Sequence, residues 1–285
     1  MRILTALLIA VILSPAPPPA APAVSEEFPL LLETGENLEF PFAEGETLEF
    51  EVNWKPIFLF PAFRAGRIRL TITPAEYRGR PTFRLQGWAE SEGMLSRVAG
   101  MEVRDYFESH VDRRTFRSYW NLQQLREGRR QRDLELTFDY DQNCWWVRET
   151  DPAQDPPRVL RNVRRVGIPS PVVDVLSAFY VPRLARFQPG TGFAVDVNES
   201  GAFRRIRVRI EAEETVETPL GRFASLRMAT VGGAFRIGGD LRVWYTKDPP
   251  RFPVKFETEV KFGRVYGTVV RLATPQATRR ILRVP

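Results

Sequence analysis

The stretch GETLEFEVNW (residues 45–54) decides the fold, because apolar and polar side chains alternate along it. Leu48, Phe50 and Val52 fall on one face of an extended chain, and the residues between them are polar or charged. Alternation with a period of two is typical of an antiparallel strand with one buried face. This stretch therefore predicts the first strand of a sheet.

The same pattern returns in FRRIRVRIEAEE (residues 203–214), where Ile206, Val208 and Ile210 alternate with arginines. Turn sequences such as YRGRP (residues 77–81) separate the predicted strands. Ten further strands are predicted over Gly66–Thr73, Thr82–Ala89, Glu102–Val111, Ser118–Leu125, Asp133–Tyr140, Cys144–Glu149, Arg222–Val231, Asp240–Tyr245, Val254–Phe262 and Val265–Leu272. We therefore expect an all-β, mainly antiparallel fold: a curved sheet of about 12 strands, forming an open or half barrel or a sandwich.

One segment departs from the strand pattern and predicts a single helix near residues 170–182. Ser170 is suited to the N-cap and Pro171 to the first helical position, while Pro182 would end the helix. We expect one continuous domain with this helix packed against it. The expected organisation is a signal peptide (1–23), an exposed lead segment (24–43), an N-terminal sheet (44–150), a proline-rich loop and helix (151–189), a C-terminal sheet (190–273) and a tail (274–285).

The N-terminus predicts export to the periplasm or secretion. Arg2 precedes an apolar run, Ile3–Leu13, and the small-residue triplet Ala21-Pro22-Ala23 follows. The run is shorter than the roughly 20 residues that span a bilayer as a helix. We expect cleavage after Ala23; the alternative is a short membrane anchor.

The composition limits partners and redox chemistry. The chain has a formal net charge of +6, and most of its positive residues are arginine. For an exported protein this favours anionic lipid headgroups or acidic glycans over nucleic acid, which we do not expect as a partner; the alternative explanation is a codon bias towards arginine. Cys144 is the only cysteine, so an internal disulfide is excluded.

The sharpest catalytic candidate is EVRDYFESHVDRR (residues 102–114), which contains the only histidine. In a strand, Glu108, His110 and Asp112 share one face, and a carboxylate beside a histidine can orient a general base. Histidine with carboxylates also suits zinc or manganese, but without a second histidine we predict no metal site. The alternative is a solvated strand face.

The remaining polar motifs predict turns and no cofactor. Asp139, Asp141 and Asn143 resemble the start of a calcium loop, but Cys144 follows where further ligands are needed, so a hairpin turn is favoured. Cys144 is interpreted as a hairpin thiol rather than a nucleophile. The paired glycines in VGGAFRIGGD (residues 231–240) lack the lysine or helix of a phosphate-binding loop.

The aromatic residues give the candidate ligand site. WKPIFLFPAF (residues 54–63) concentrates apolar side chains between strands, and the candidate ligand-binding residues are Trp54, Phe58, Phe60 and Phe63. Such a loop could dip into lipid or form the lip of an apolar cavity. The alternative is a loop that seals one end of a barrel.

An ordered set of short motifs resembles the DUF3108 family of exported bacterial proteins of unknown function. The pieces are PFAEGETLEFEVNW (41–54), AGRIRLTI (65–72), DYFESHVD (105–112), LTFDYD (136–141), VVDVLSAFYVPR (172–183), ETPLGRFASLRM (217–228) and LRVWYTKDPPRFPVKFE (241–257). The resemblance implies an exported, mostly β architecture and carries no activity or catalytic residues.

Three functions remain open. The first is a non-enzymatic cell-envelope protein that binds an apolar or amphiphilic ligand, such as a lipid, or an envelope protein, with peripheral membrane contact. The second is a hydrolase acting on envelope polymers through Glu108, His110 and Asp112. The third is an integral outer-membrane barrel, in which the arginines between residues 205 and 209 would line a wet lumen and the intervening apolar residues would meet lipid.

Overall fold

The computed structural model is an all-β protein built around one large sheet. It describes residues 28–32, 40–57, 61–92, 102–169, 171–232, 240–260 and 263–274. The strands are β1 (Glu46–Pro56), β2 (Phe63–Tyr77), β3 (Arg80–Ser91), β4 (Arg104–Asp112), β5 (Ser118–Glu127), β6 (Arg130–Asp139), β7 (Cys144–Asp151), β8 (Arg158–Val166), β9 (Val172–Asp174), β10 (Gly192–Glu199), β11 (Ala202–Thr218), β12 (Gly221–Val231), β13 (Arg242–Thr246), β14 (Pro253–Val260) and β15 (Gly263–Ala273). Two 3-10 helices, Ser177–Phe179 and Val181–Arg183, follow β9.

The strand order is β8-β7-β6-β5-β4-β3-β2-β1-β15-β14-β13-β12-β11-β10-β9. The first eight strands and the last seven are therefore two runs of neighbouring strands, joined where β1 pairs antiparallel with β15. Every pairing is antiparallel except that of β9 with β10. The sheet is not closed into a barrel, because its two ends, β8 and β9, do not pair.

The alternation predicted from the sequence is confirmed, and it orients the sheet. In β1, Leu48, Phe50 and Val52 are buried and the residues between them are half-exposed. In β11 the apolar residues between 206 and 210 are buried by protein, whereas the intervening arginines are exposed. In an outer-membrane barrel these apolar side chains would face lipid. Their burial inside the protein therefore contradicts that alternative.

The sheet has fifteen strands rather than about 12. The additional strands are β8, β9 and β10. β8 lacks alternation because nearly all of its side chains are exposed. β10 does alternate in sequence, with Phe193, Val195 and Val197 on one face and Ala194, Asp196 and Asn198 on the other, and it was missed although the pattern is present. All but its first residue are buried, so its polar face is also covered by protein.

The helical region predicted near 170–182 is present as two short 3-10 helices rather than as one continuous helix. Val172 and Val173 lie in β9 instead. The Asp174 side chain accepts hydrogen bonds from the backbone N–H groups of Leu176 and Ser177, which fixes a tight turn after β9. Aspartate competes with helical hydrogen bonding in this way, and Pro182 prevents a longer helix afterwards.

The described part of the lead segment 24–43 is packed against the sheet, in contrast to the exposed segment expected. Leu30 forms a parallel bridge with Ala194 of β10. Leu32 is buried. Further along, Phe42 contacts Phe83 edge to face, with ring centroids 5.6 Å apart. Residues 28–32 therefore cover the edge of β10 next to β9.

The inner face of the curled sheet holds the core, and the two ends of the sheet overlap. Arg161 of β8 donates from Nη2 to the carbonyl oxygen of Ser200, in the turn between β10 and β11, at 2.7 Å. Trp145 of β7 packs edge to face on Phe203 of β11 at 5.2 Å. The turn between β10 and β11 thus lies against β7 and β8 without pairing with them.

Candidate functional site

The predicted catalytic pair lies on the half-exposed face of β4. Glu108 Oε1 is 3.4 Å from His110 Nε2. The Glu108 carboxylate also receives a two-pronged contact from Arg84, with Nε and Nη2 at 2.9 and 2.7 Å. The Tyr106 hydroxyl and the Gln86 amide add further donors. The sequence correctly placed Glu108 beside His110, but it missed Arg84, which comes from the neighbouring strand.

The contacts of this pair hold both groups in their ordinary neutral-pH states. Burial would raise the pKa of Glu108, but hydrogen bonds from Arg84 and Tyr106 outweigh it and lower the pKa. Burial lowers the pKa of His110, and the nearby Glu108 charge opposes that shift only in part. Glu108 is therefore a carboxylate and His110 a neutral imidazole at neutral pH.

The imidazole is enclosed rather than presented to a substrate. His110 Nδ1 is 3.1 Å from the Thr82 hydroxyl. The rings of Tyr77 and Trp120 both contact it, with centroids 5.2 and 5.8 Å away, and they stack on each other at 6.2 Å. A general base must reach the proton that it removes. Here the ring nitrogens contact Thr82 and Glu108, which suits a cross-strand polar cluster.

Asp112 has a separate role from this pair. Its carboxylate accepts hydrogen bonds from the Tyr119 hydroxyl at 2.6 Å and from the backbone N–H groups of Arg114 and Thr115 at 2.8 and 2.7 Å. Burial would raise its pKa, but these hydrogen bonds lower it. Asp112 therefore stabilises the turn after β4.

Two of the four predicted ligand-binding residues are described, and they are in contact. Trp54 and Phe63 pack edge to face at 5.3 Å between β1 and β2. Trp54 is buried and its indole N–H has no hydrogen-bond partner, whereas Phe63 is half-buried. Phe58 and Phe60 lie outside the described residues.

The acidic turn and the cysteine have the local environment expected of a hairpin. Asp139 Oδ1 accepts a hydrogen bond from the backbone N–H of Gln142 at 2.9 Å, and Asn143 has a positive φ of 49°. Cys144 is a buried free thiol. Among the described residues no group of three histidine, cysteine, aspartate or glutamate side chains could hold a metal ion. Most of the segment with paired glycines (233–239) lies outside the described residues.

The groove that the sequence did not predict lies inside the curled sheet, against residues 172–184, which we call the inner segment. All but two residues of the inner segment are buried. The groove is lined by apolar side chains from both halves of the chain and from the inner segment: Phe50, Ile68, Leu70, Phe179, Val243, Pro253 and Phe256. The sequence shows these residues only as apolar positions of alternating strands. Alternation does not reveal the order of the strands, so it could not predict that these residues meet.

The groove is apolar and narrow. Its side chains leave a space of about 330 Å³, part of it open to solvent, and scarcely any of that space is wide enough to admit a water molecule. The residues that line it are all apolar. A space this narrow admits an alkyl chain only when side chains that line it, such as Phe179, move aside.

The inner segment is held at its start by a buried carboxylate. Asp174 is inaccessible to solvent and lies within hydrogen-bond distance of the Ser109, Ser118 and Ser177 hydroxyls, at 2.7, 2.6 and 2.8 Å. Ser109 and Ser118 belong to β4 and β5. A buried polar group is tolerated when hydrogen bonds satisfy it, so this cluster fixes the inner segment to the first half of the sheet.

A buried ion pair holds the other end of the inner segment. Arg183 binds Glu46 of β1 through two contacts of 2.6 and 2.8 Å, and both side chains are only 1% exposed. The Tyr245 hydroxyl of β13 donates to the carbonyl oxygen of Phe179 at 2.9 Å. The wall that Phe179 forms in the groove is therefore fixed from both halves of the chain. Asp174 and Arg183 lie within VVDVLSAFYVPR, but their burial was not predicted.

A family model matches residues 49–270, and its description is "Protein of unknown function (DUF3108)". No curated protein sequence matches the chain. No helix among the described residues is long and apolar enough to cross a membrane.

Solved structures similar to the chain include one from Brucella abortus and one from Bacteroides fragilis. One is a beta-barrel-like protein of the domain of unknown function DUF1849 from Brucella abortus: TM-score 0.53 and 6% identity, covering 82% of this chain and 99% of that one. At that identity the likeness concerns the fold alone. The other is a putative exported protein with a YmcC-like fold from Bacteroides fragilis NCTC 9343, with a TM-score of 0.30 and 13% identity over 84% of this chain and 100% of that one.

Proposed function

This chain belongs to the DUF3108 family of proteins of unknown function, and from that premise we propose that it is an exported, non-enzymatic cell-envelope protein that binds an amphiphile by its apolar part. Export to the periplasm or the outside is supported by the N-terminal sequence, in which a short apolar run precedes Ala21-Pro22-Ala23. The apolar groove carries the proposal of ligand binding.

The lining of the groove favours a thin apolar chain. Apolar side chains from β1, β2, β13 and β14 meet Phe179 there, so both halves of the chain contribute. The groove is too narrow as it stands to hold such a chain, so binding requires the side chain of Phe179 or Phe256 to rotate. The hydrogen bond from Tyr245 and the anchors of the inner segment keep the backbone around the groove in place. The polar head of the amphiphile would stay in water outside the groove.

The test starts with lipid extraction and mass spectrometry of the protein purified from envelopes without detergent washing. The delipidated protein is then titrated with an apolar fluorescent dye. Val243→Phe fills the groove and should weaken dye binding, whereas Phe179→Ala widens it and should strengthen binding. Leu220→Phe is the matched control, because Leu220 is exposed in a distant turn. Absence of copurified lipid, together with equal dye binding by all variants, would refute the proposal.

The contact between Glu108 and His110 keeps one enzymatic alternative, a hydrolase acting on envelope polymers. It is weaker because Glu108 already receives donors from Arg84, Gln86 and Tyr106. Replacing Glu108 by Gln and His110 by Gln separately tests it. If both variants complement an envelope defect of a deletion strain as fully as the native protein does, the hydrolase is excluded.

A further inference from the structure

We propose that the free edge of β8 binds an extended acidic segment of another envelope protein by adding it to the sheet as a further strand. This interaction is independent of the amphiphile groove, which lies on the inner face of the sheet near β1, β2, β13 and β14. The argument rests on the backbone, the charge and the exposed apolar side chains of β8.

The two ends of the sheet differ in how far their edge strands are covered. At one end, β10 is covered by β9, which is fully buried, and by residues 28–32 through the bridge between Leu30 and Ala194. At the other end, β8 is nine residues long and pairs only with β7 among the described strands. Its outer row of backbone N–H and C=O groups is therefore free to pair with an added strand.

The overlap of the sheet ends leaves this edge accessible. The turn between β10 and β11 reaches the β7–β8 hairpin through contacts with side chains, at Arg161 and Trp145. No backbone hydrogen bond joins that turn to β8 in the described part of the chain. The apolar side chains of β8 are also unusually open, with Val159 51%, Leu160 38% and Val166 75% exposed.

The charge of β8 selects the partner. Its sequence, RVLRNVRRV, contains four arginines and no acidic residue. Arg161 pairs with Glu149 at 3.3 Å, and Arg164 lies over the Trp146 ring at 5.3 Å. Arg158 and Arg165 have no ion-pair partner among the described residues. An acidic strand would place carboxylates opposite these guanidinium groups, which stabilises cross-strand pairing.

Two other occupants of the β8 edge are less suitable: a second copy of β8, which its charge excludes, and a lipid surface, which offers no backbone partners. A second copy of β8 would bring arginines face to face, which destabilises a strand pair. Anionic lipid headgroups would satisfy the arginines, but a bilayer offers no ordered row of backbone partners for the free edge. An extended acidic polypeptide satisfies both the charge and the backbone.

The test uses the full mature chain and a labelled peptide of alternating glutamate and valine, as long as β8, with both termini blocked. Fluorescence anisotropy should detect binding that weakens as salt is raised. The same peptide with alternate N-methylated amides keeps its charge but cannot pair along the edge, and it should not bind. A lysine–valine peptide should not bind either.

Matched variants locate the site. The double substitution Arg158→Glu and Arg165→Glu should weaken binding by roughly tenfold or more. Arg207→Glu with Arg222→Glu makes the same change of net charge on exposed residues of β11 and β12 and should leave binding unchanged. Circular dichroism checks that each variant is folded.

Four outcomes would overturn the proposal. One is equal binding of the N-methylated peptide, which would mean attraction of charge alone. Another is association of the chain with itself that competes with the peptide. A third is binding to vesicles of anionic lipid without binding to the peptide, and the last is no binding at all.

Discussion

Asp105 offers the sharpest test of the electrostatics of this fold. It lies at the start of β4, is 2% exposed, and accepts one hydrogen bond at Oδ1 from the backbone N–H of Arg126 at 2.7 Å. Its Oδ2 has no hydrogen-bond partner. Burial raises the pKa of Asp105 to about 7, although the hydrogen bond from Arg126 opposes the shift.

The sign of the pH dependence follows from linkage. The folded protein keeps the Asp105 proton up to about pH 7, whereas the unfolded chain loses it near the ordinary value of 3.8. The contribution of Asp105 to the free energy of unfolding is therefore fully present below the lower value and is lost as pH rises through the higher one. Between about pH 5 and pH 8 the loss amounts to about 2.5 kcal/mol.

Asp105→Asn removes this titration and keeps the shape of the side chain. The assay is urea denaturation of both proteins at several pH values, and the quantity of interest is the difference between their free energies of unfolding. His110 and the other titrating groups cancel in that difference. We expect the variant to gain about 2.5 kcal/mol relative to the native protein between pH 5 and pH 8. A difference that stays constant with pH would refute the reasoning.

Three further predictions concern single side chains. Glu46→Gln leaves the buried guanidinium of Arg183 without a counter-charge and should cost about 3–5 kcal/mol in urea denaturation; an unchanged midpoint would contradict this. Gly267→Ala should cost about 1–3 kcal/mol in the same assay, because the added methyl group would overlap the buried Phe256 ring; native-like stability would show that the ring can move. The Cys144 thiol should react with a disulfide reagent only on unfolding, because it is buried; rapid reaction of the folded protein would contradict its burial.

The sequence predicted strands mainly where apolar and polar side chains alternate. The twelve predicted strands all overlap strands of the sheet, including β13, in which residues 243–246 are all buried. β8 was missed because its side chains, exposed on both faces, do not alternate, whereas β10 alternates in sequence and was still not predicted. The expected helix is shorter than predicted because the Asp174 side chain accepts hydrogen bonds from the backbone N–H groups of Leu176 and Ser177.

The residues of the candidate catalytic site were predicted only where the geometry of a single strand brings them together. Glu108 and His110 are two residues apart on one strand, so strand geometry alone predicted that they lie together. Asp112 continues the same period, but the register shifts between His110 and Val111, and Asp112 stabilises a turn instead. Arg84 donates hydrogen bonds to the Glu108 carboxylate from the neighbouring strand, so its pairing with Glu108 could not be predicted from the sequence.

By itself the sequence determined that this chain is an all-β protein whose apolar side chains face inward, because alternation acts between near neighbours in the chain. Only the tertiary structure decided that β1 pairs with β15, that the inner segment fills the sheet, and that β8 pairs on one side only among the described strands. These features join residues far apart in sequence, such as Glu46 and Arg183. Their contacts depend on strand order and curvature, and no local pattern of residues encodes either one.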